Sequence, residues 1–199
     1  MTEKASRLKG LSMLVTITRS SGKISGTITA PPSKSMAHRA VLCGALADGR
    51  SHITNLEFSK DISATLGAAG QLCAKVQTGT DDAVVEGLGH FLPLAAPVDC
   101  CESGSTLRFL IPIASLTGQE VSFTGRGRLM ERPQSVYETL YKEQGLRFEQ
   151  SPSGLTVEGA LPPGEYKLAG NVSSQFISGL LFALPLLAGD STLHLLPPV

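Results

Sequence analysis

The sequence predicts an α/β protein in which one unit is used repeatedly around its own buried helices, with the last copy incomplete. Three observations predict it. Ser33, Ser103 and Ser173 recur at a constant spacing of 70 residues. Each opens an apolar segment, "PSKSMAHRAVLCGALADG", "ESGSTLRFLIPIASLTG" and "VSSQFISGLLFALPLLAG", with Leu46, Leu116 and Leu186 in the same register. Each segment then passes through a Gly- or Asp-containing turn into a strand-like run, and similarity at a fixed period marks one supersecondary unit reused.

The unit reads, in order, as strand, buried helix, strand, amphipathic helix, strand, strand (βαβαββ). Its copies span about 24–93, 94–163 and 164–199, preceded by an N-terminal strand segment over 1–23. Pro31 and Pro32 stop whatever precedes the first buried helix. The three buried helices are apolar nearly all round, and a helix without a polar face is expected to be enclosed on all sides. The amphipathic helices are "SKDISATLGAAG" and "ERPQSVYETLYKEQG". Paired strands follow, "LCAKVQT" with "DAVVEGL" and "LRFEQ" with "LTVEG", separated by the turn signals "TGTDD" and "SPSG". The third copy begins near "GEYKLAGNVSSQ" and has its buried helix and the strand "STLHLL". Its second helix and last two strands are missing, so the sequence reads as a fragment or a truncated product.

Composition narrows the function. With 17 basic and 17 acidic residues the formal net charge is zero, and only 5% of residues are aromatic. No broad field invites nucleic acid or an anionic membrane, and stacking platforms for single strands are scarce. "FISGLLFALPLLAG" is only about 14 residues long, too short for a bilayer, so it reads as a buried helix. The N-terminal apolar run is too short for a signal peptide. Cys43, Cys73, Cys100 and Cys101 lack zinc-ligand spacing and read as reduced thiols of a cytoplasmic protein. His52, His90 and His194 form no ligand pattern. Without a Walker loop, a GxGxxG or a metal motif, the expected ligand is a small anion, with no cofactor and no metal.

The chemistry lies at the helix starts. A helix N-terminus offers unpaired N–H groups and a partial positive charge. If the three buried helices converge, their Ser-rich starts form one anion floor. Lys34 and Arg39 add charge to the first and Arg108 to the second, while Ser173, Ser174 and Gln175 offer neutral donors and acceptors suited to a polyol or a phosphate. The plainer reading makes each serine an N-cap and gives Arg108 a structural carboxylate, Glu102 or Glu131. Arg126, Arg128 and Arg132 lie in the glycine-bearing loop "GRGRLMERP". They are either forks for an anion or solvated side chains with Glu131 paired to Arg132. Pro133 fits the first turn of the helix that follows.

"PPSKSMAHRA", "ESGSTLRFLIPIA", "GRLMERP" and "NVSSQFISGLLFALPLL" occur together and in order from about residue 14 onward. Together they resemble the 5-enolpyruvylshikimate-3-phosphate synthases. The resemblance implies an enolpyruvyl transferase-like inverse α/β barrel of three repeated units per domain. It also implies transfer of the enolpyruvyl group of phosphoenolpyruvate to the 5-hydroxyl of shikimate 3-phosphate. By motif, Lys34 would touch both substrates, with Ser35 and Arg39 on shikimate 3-phosphate. Gly104 and Ser105 would lie beside phosphoenolpyruvate, with Arg108 near the same anions and Arg128 clamping phosphoenolpyruvate. Ser173 and Ser174 would bind the shikimate phosphate and Gln175 the hydroxyl side. Many relatives have Asn-Ala-Gly where Glu102, Ser103 and Gly104 stand, which leaves Glu102 without an assigned role. The family's second domain, which supplies acidic residues and further cations, is absent from the chain, so the isolated chain is expected to be inactive. Two alternatives remain: a non-catalytic shikimate 3-phosphate-binding module, and a UDP-N-acetylglucosamine enolpyruvyl transferase. The Lys34–Ser35 pair argues against the second.

Overall fold

The computed structural model describes Thr16 and residues 25–197. The N-terminal strand segment expected over 1–23 therefore lies outside the described residues, Thr16 apart. Residues 25–30 belong to a separate small unit and form neither helix nor strand, although position 28 is in repeat register with Val98. A strand requires a hydrogen-bonded neighbour, and among the described residues none pairs with them.

From Pro31 onward the elements follow the expected order. They are α1 (Lys34–Leu46), β1 (Gly49–Ile53), α2 (Lys60–Leu72), β2 (Ala74–Thr78) and β3 (Ala83–Gly87); then β4 (Val98–Asp99), α3 (Gly104–Ala114), β5 (Val121–Thr124), α4 (Ser135–Glu143), β6 (Arg147–Ser151) and β7 (Gly154–Glu158); then β8 (Glu165–Ala169), α5 (Ser174–Ala183) and β9 (Thr192–Leu196). The first sheet has the antiparallel order β1-β3-β2, and the second contains the same arrangement as β5-β7-β6. In the second sheet β4 runs parallel to β5, and in the third β8 runs parallel to β9. Side chains alternate along β3 and β7, with Ala83 and Val85, then Leu155 and Val157, buried. Period-two alternation of this kind belongs to sheets with one face on the core.

Two helix boundaries differ from the sequence reading, each because of proline. The apolar run through Pro185 is not one helix. α5 ends at Ala183, and Leu184–Leu186 form a 3-10 turn with Pro185 in its first positions. Pro133 stands before the N-cap Gln134 rather than in the first turn of α4. Proline has no N–H to donate and restricts the residue before it.

α3 is the most enclosed helix, with Leu107 and Phe109 through Ala114 buried. Pro112 lies inside it and cannot donate to the carbonyl of Arg108. The hydroxyl of Tyr137 on α4 takes that place, 2.8 Å from the Arg108 carbonyl oxygen and 2.9 Å from that of Phe176 on α5. Its single proton serves one of them at a time. Tyr141, one turn along α4, donates to the Ile111 carbonyl at 2.9 Å and lies 2.6 Å from Ser115 Oγ. Both rings are buried and edge-packed, Tyr137 on Phe176 and Tyr141 on Phe148.

The expectation that all three apolar helices are enclosed is corrected. α1 leaves Met36 and Cys43 exposed. On α5, Leu181 is 57% exposed and Leu186, just beyond its end, 50%. Val41 and Ile111, at the same repeat register as Leu181, are fully buried; α1 packs on α2, and α4 reaches α3 through Tyr141, which donates to the Ile111 carbonyl. Among the described residues no corresponding helix covers α5. Leu46, Leu116 and Leu186 share the lining of a cavity of about 500 Å³ at the C-terminal ends of the buried helices.

Gly179 sets how closely α5 approaches α3. A Cβ there would sit 2.5 Å from the Arg108 carbonyl oxygen and collide with the Tyr137 hydroxyl. Gly67, on the exposed side of α2, has nothing within 4 Å of the same position. Gly179→Ala is therefore expected to destabilise by about 1–3 kcal/mol or more through overpacking. Gly67→Ala should stabilise by about 0.4–1 kcal/mol through loss of unfolded-state freedom. Thermal denaturation of both variants checks the pair; equal shifts would remove the α3–α5 contact as the constraint.

Candidate anion-binding site

The three register serines are N-caps. Ser33 Oγ accepts from the Met36 N–H at 3.4 Å, Ser103 Oγ from Thr106 at 3.2 Å, and Ser173 Oγ from Gln175 at 3.4 Å. Capping does not neutralise the helix ends. α1, α3 and α5 have no acidic residue in their first turns, whereas α2 has Asp61 and α4 has Glu138. The partial positive charge of the three register starts is left open to an anion.

Polar side chains lace these starts together. Lys34 on α1 forms an ion pair with Asp61 in the first turn of α2. Arg39 donates to the Ser35 carbonyl at 2.8 Å and to Ser178 Oγ on α5 at 3.0 Å, with its guanidinium over the Phe109 ring. Arg108 donates through Nη1 to Gln175 Oε1 at 2.7 Å and through Nε to Gln134 Oε1 at 3.3 Å, and stacks on Phe176. Gln175 completes the link by donating to Ser105 Oγ at 2.7 Å. Lys34, Arg39, Ser105, Arg108, Ser173 and Gln175 are thus drawn to one end of the helix cluster. Ser35 and Ser174 are exposed there and Gly104 is half-buried.

The arginine partners differ from those read in the sequence. Arg108 has amides for partners, not Glu102 or Glu131, and burial lowers its pKa. Glu131 pairs with Arg128, not Arg132. Arg128 is 86% exposed and held by that single contact. Glu102 is exposed, with its carboxylate against Gly127, whose φ of +59° and lack of Cβ allow the approach. At the mouth of α3, Asp99 accepts from the Cys101 N–H at 2.7 Å and from Arg126 at 2.9 Å. These bonds, the backbone one foremost, hold its carboxyl below the usual range.

Beneath the starts runs a buried polar chain that the sequence reading missed. His38 Nδ1 lies 2.7 Å from Thr65 Oγ1, which lies 2.7 Å from Thr106 Oγ1, which donates to Ser103 Oγ at 2.7 Å. His38 is 1% exposed and its Nε2 has no partner. Desolvation lowers its pKa to about 4; Asp61 opposes that shift, and Lys34 and Arg39 add to it. The chain ties the α3 cap to α1 through α2. Thr65 and Thr106 carry no sequence signal beyond being polar in apolar helices. Asp61 shows only as an acidic first-turn residue. No cluster of three or more His, Cys, Asp or Glu among the described residues is placed to hold a metal, and no described helix is long and apolar enough to cross a membrane.

The family model described as EPSP synthase (3-phosphoshikimate 1-carboxyvinyltransferase) matches residues 18–197. The 3-phosphoshikimate 1-carboxyvinyltransferase of Clostridium kluyveri is 45% identical over 87% of the chain, and that of Clostridium beijerinckii 49% identical over 85%. The chain spans 41% of the length of each. An EPSP synthase structure from Acinetobacter baumannii superposes with a TM-score of 0.77 at 24% identity, over 87% of this chain and 41% of that one, a likeness of fold.

His38 makes stability depend on pH. Its folded pKa, about 4, lies below the ordinary histidine value of 6.5. Between these values the unfolded chain binds the extra proton, so stability is full above the window and is lost as pH falls through it. The loss over the whole window is on the order of 3 kcal/mol. Melting temperatures between pH 4 and 7 should fall with acid in the parent and fall less in His38→Asn. Parallel slopes would assign the effect to other groups.

Proposed function

The chain belongs to the EPSP synthase family, and from that premise we propose that it forms one wall of a site for enolpyruvyl transfer from phosphoenolpyruvate to the 5-hydroxyl of shikimate 3-phosphate. The observation that carries the reading is the convergence of three capped helix starts, free of first-turn acids, with Lys34, Arg39 and Arg108 among them. In this reading Ser173 and Ser174 hold the phosphate of shikimate 3-phosphate at the α5 start, with Ser35 and Arg39 on the same substrate. Gln175, already bound to Arg108 and Ser105, faces the hydroxyl side. Gly104, Ser105, Arg108 and Arg128 serve phosphoenolpyruvate, and Lys34 lies between the two substrates. The four cysteines are free, in keeping with a cytoplasmic protein.

The reaction adds the 5-hydroxyl oxygen, as its proton is removed, to the substituted vinyl carbon of phosphoenolpyruvate and protonates the methylene carbon to a methyl group, then expels phosphate as a proton is lost from that methyl group. It needs an acid and a base within hydrogen-bond reach, and fixed cations for the departing phosphate. On this wall Asp61 is engaged by Lys34 and Glu102 lies against Gly127. We assign proton transfer and the remaining cations to the part of the relatives' length that this chain does not span, and expect binding without turnover from the chain alone.

Calorimetry tests the reading. Shikimate 3-phosphate should bind more tightly than shikimate; equal affinity, or preference for UDP-N-acetylglucosamine, would overturn it. Lys34→Ala should weaken shikimate 3-phosphate about tenfold and leave the melting temperature nearly unchanged. An exposed ion pair such as Lys34–Asp61 contributes about 1 kcal/mol or less to folding. A variant that loses stability and keeps affinity would make Lys34 purely structural.

A further inference from the structure

Thr65 is buried in α2 and meets three helices at once. Its hydroxyl oxygen lies 2.7 Å from His38 Nδ1 on α1, 2.7 Å from Thr106 Oγ1 on α3, and 3.2 Å from the Asp61 carbonyl oxygen one turn back on α2. Thr106 lies 3.5 Å from the same carbonyl and donates to Ser103 Oγ at 2.7 Å. Filling space does not explain two threonines in contact on helices whose other buried residues include Ile62, Leu66, Leu107 and Leu110. Valine has the same shape, and a buried hydroxyl costs free energy unless it is hydrogen-bonded. A satisfied buried network instead fixes one arrangement of the elements it joins.

What this network fixes lies at the mouth of the site. Asp61 is in the first turn of α2, so contacts to its carbonyl hold the backbone from which its carboxylate reaches Lys34. Ser103 caps α3 directly before Gly104 and Ser105. His38 stands one turn along α1 from Lys34. The Tyr137 hydroxyl joins α4 and α5 to α3; the Thr65 hydroxyl joins α1 and α2 to it. His38 gives up a partner for this bond, since its Nε2 has none among the described residues.

Resting on the reading of this wall as an enolpyruvyl-transfer site, we propose that Thr65 is a positioning residue: its hydroxyl sets Lys34, through Asp61, and the α3 start, through Thr106 and Ser103, at the separation that the two anionic substrates require. Thr65 is 0% exposed and acts only through these partners.

The test measures binding of shikimate 3-phosphate and phosphoenolpyruvate by calorimetry, and of sulfate through the amide NMR shifts of Gly104 and Ser105. The proteins are the parent chain, Thr65→Val, Thr65→Ser and Ser115→Ala, each assayed well below its melting temperature. Ser115 is the control, a buried hydroxyl bonded to Tyr141 at the other end of α3. Thr65→Val should weaken all three anions about three- to tenfold, the range of one neutral hydrogen bond. Thr65→Ser keeps the hydroxyl and should stay within about twofold of the parent. Ser115→Ala should lose stability and keep affinity. Should Thr65→Val fail to fold, Thr106→Val cuts the same network one link further on and must lose affinity, with Thr106→Ser restoring it. A Thr65→Val protein that melts earlier but binds as the parent does overturns the proposal and leaves the enolpyruvyl-transfer reading standing. Equal losses in Thr65→Val and Thr65→Ser also overturn it, because the hydroxyl is then not the cause. If the parent binds neither substrate but holds sulfate in a way that needs the Thr65 hydroxyl, the positioning role stands and the enolpyruvyl-transfer reading falls. A parent that binds none of the three anions overturns both.

Discussion

The structure depends on one backbone carbonyl. Pro112 leaves the Arg108 oxygen without its helical donor, and the Tyr137 hydroxyl supplies one. A buried unpaired carbonyl would cost roughly 1–3 kcal/mol, so α4 is held to α3 at that height. The same hydroxyl lies against the Phe176 carbonyl and the bare Cα of Gly179, which brings α5 close to α3. That approach puts Gln175 within reach of both Arg108 and Ser105. The relative placement of two of the three anion-facing helix starts therefore follows from a proline, a tyrosine and a glycine.

Much of this was legible in the sequence and some of it was not. The 70-residue register of Ser33, Ser103 and Ser173 identified three helix starts because capping is a local act, performed by residues within one turn. The strands were legible for the same reason: their alternation and turn signals are contiguous. The enclosure of α5 was misjudged because an apolar sequence states only that a helix would prefer to be covered. Leu181 is as apolar as Ile111, but Ile111 is buried and Leu181 is 57% exposed. Arg108 invited a search for a carboxylate, and its partners are two glutamines distant in sequence. No pattern within α3 could indicate Gln134 or Gln175. The chain from His38 to Ser103 crosses three helices and is visible only once they pack.

The site's electrostatics follow from where acid is withheld. A carboxylate in the first turn stabilises a helix by roughly 0.3–1 kcal/mol, and α2 and α4 take that stabilisation through Asp61 and Glu138. α1, α3 and α5 forgo it and rely on neutral caps. The cations beside them are treated unevenly. Arg39 and Arg108 are oriented by hydroxyl, carbonyl and amide oxygens and stacked on phenylalanines, which fixes position and preserves charge. Lys34 alone among the helix-start cations has a carboxylate, Asp61. An anion arriving at the floor therefore meets two guanidinium groups whose charge is already free, and an ammonium it must share with Asp61.

His38 explains how such a floor stays rigid. An unprotonated imidazole nitrogen is easier to leave unpaired in a core than an N–H, because orphaned buried donors are the rarer and costlier case. The unpartnered Nε2 therefore favours the proton on Nδ1, donating to Thr65. The chain then runs in one direction, from His38 through Thr65 and Thr106 to Ser103, where the Thr106 hydroxyl donates to the cap. Ser103 also accepts the Thr106 N–H, so its lone pairs are filled from within the protein. A cap fixed in this way cannot rotate to follow a ligand, and the unpaired N–H groups at the start of α3 are held in place before any anion arrives.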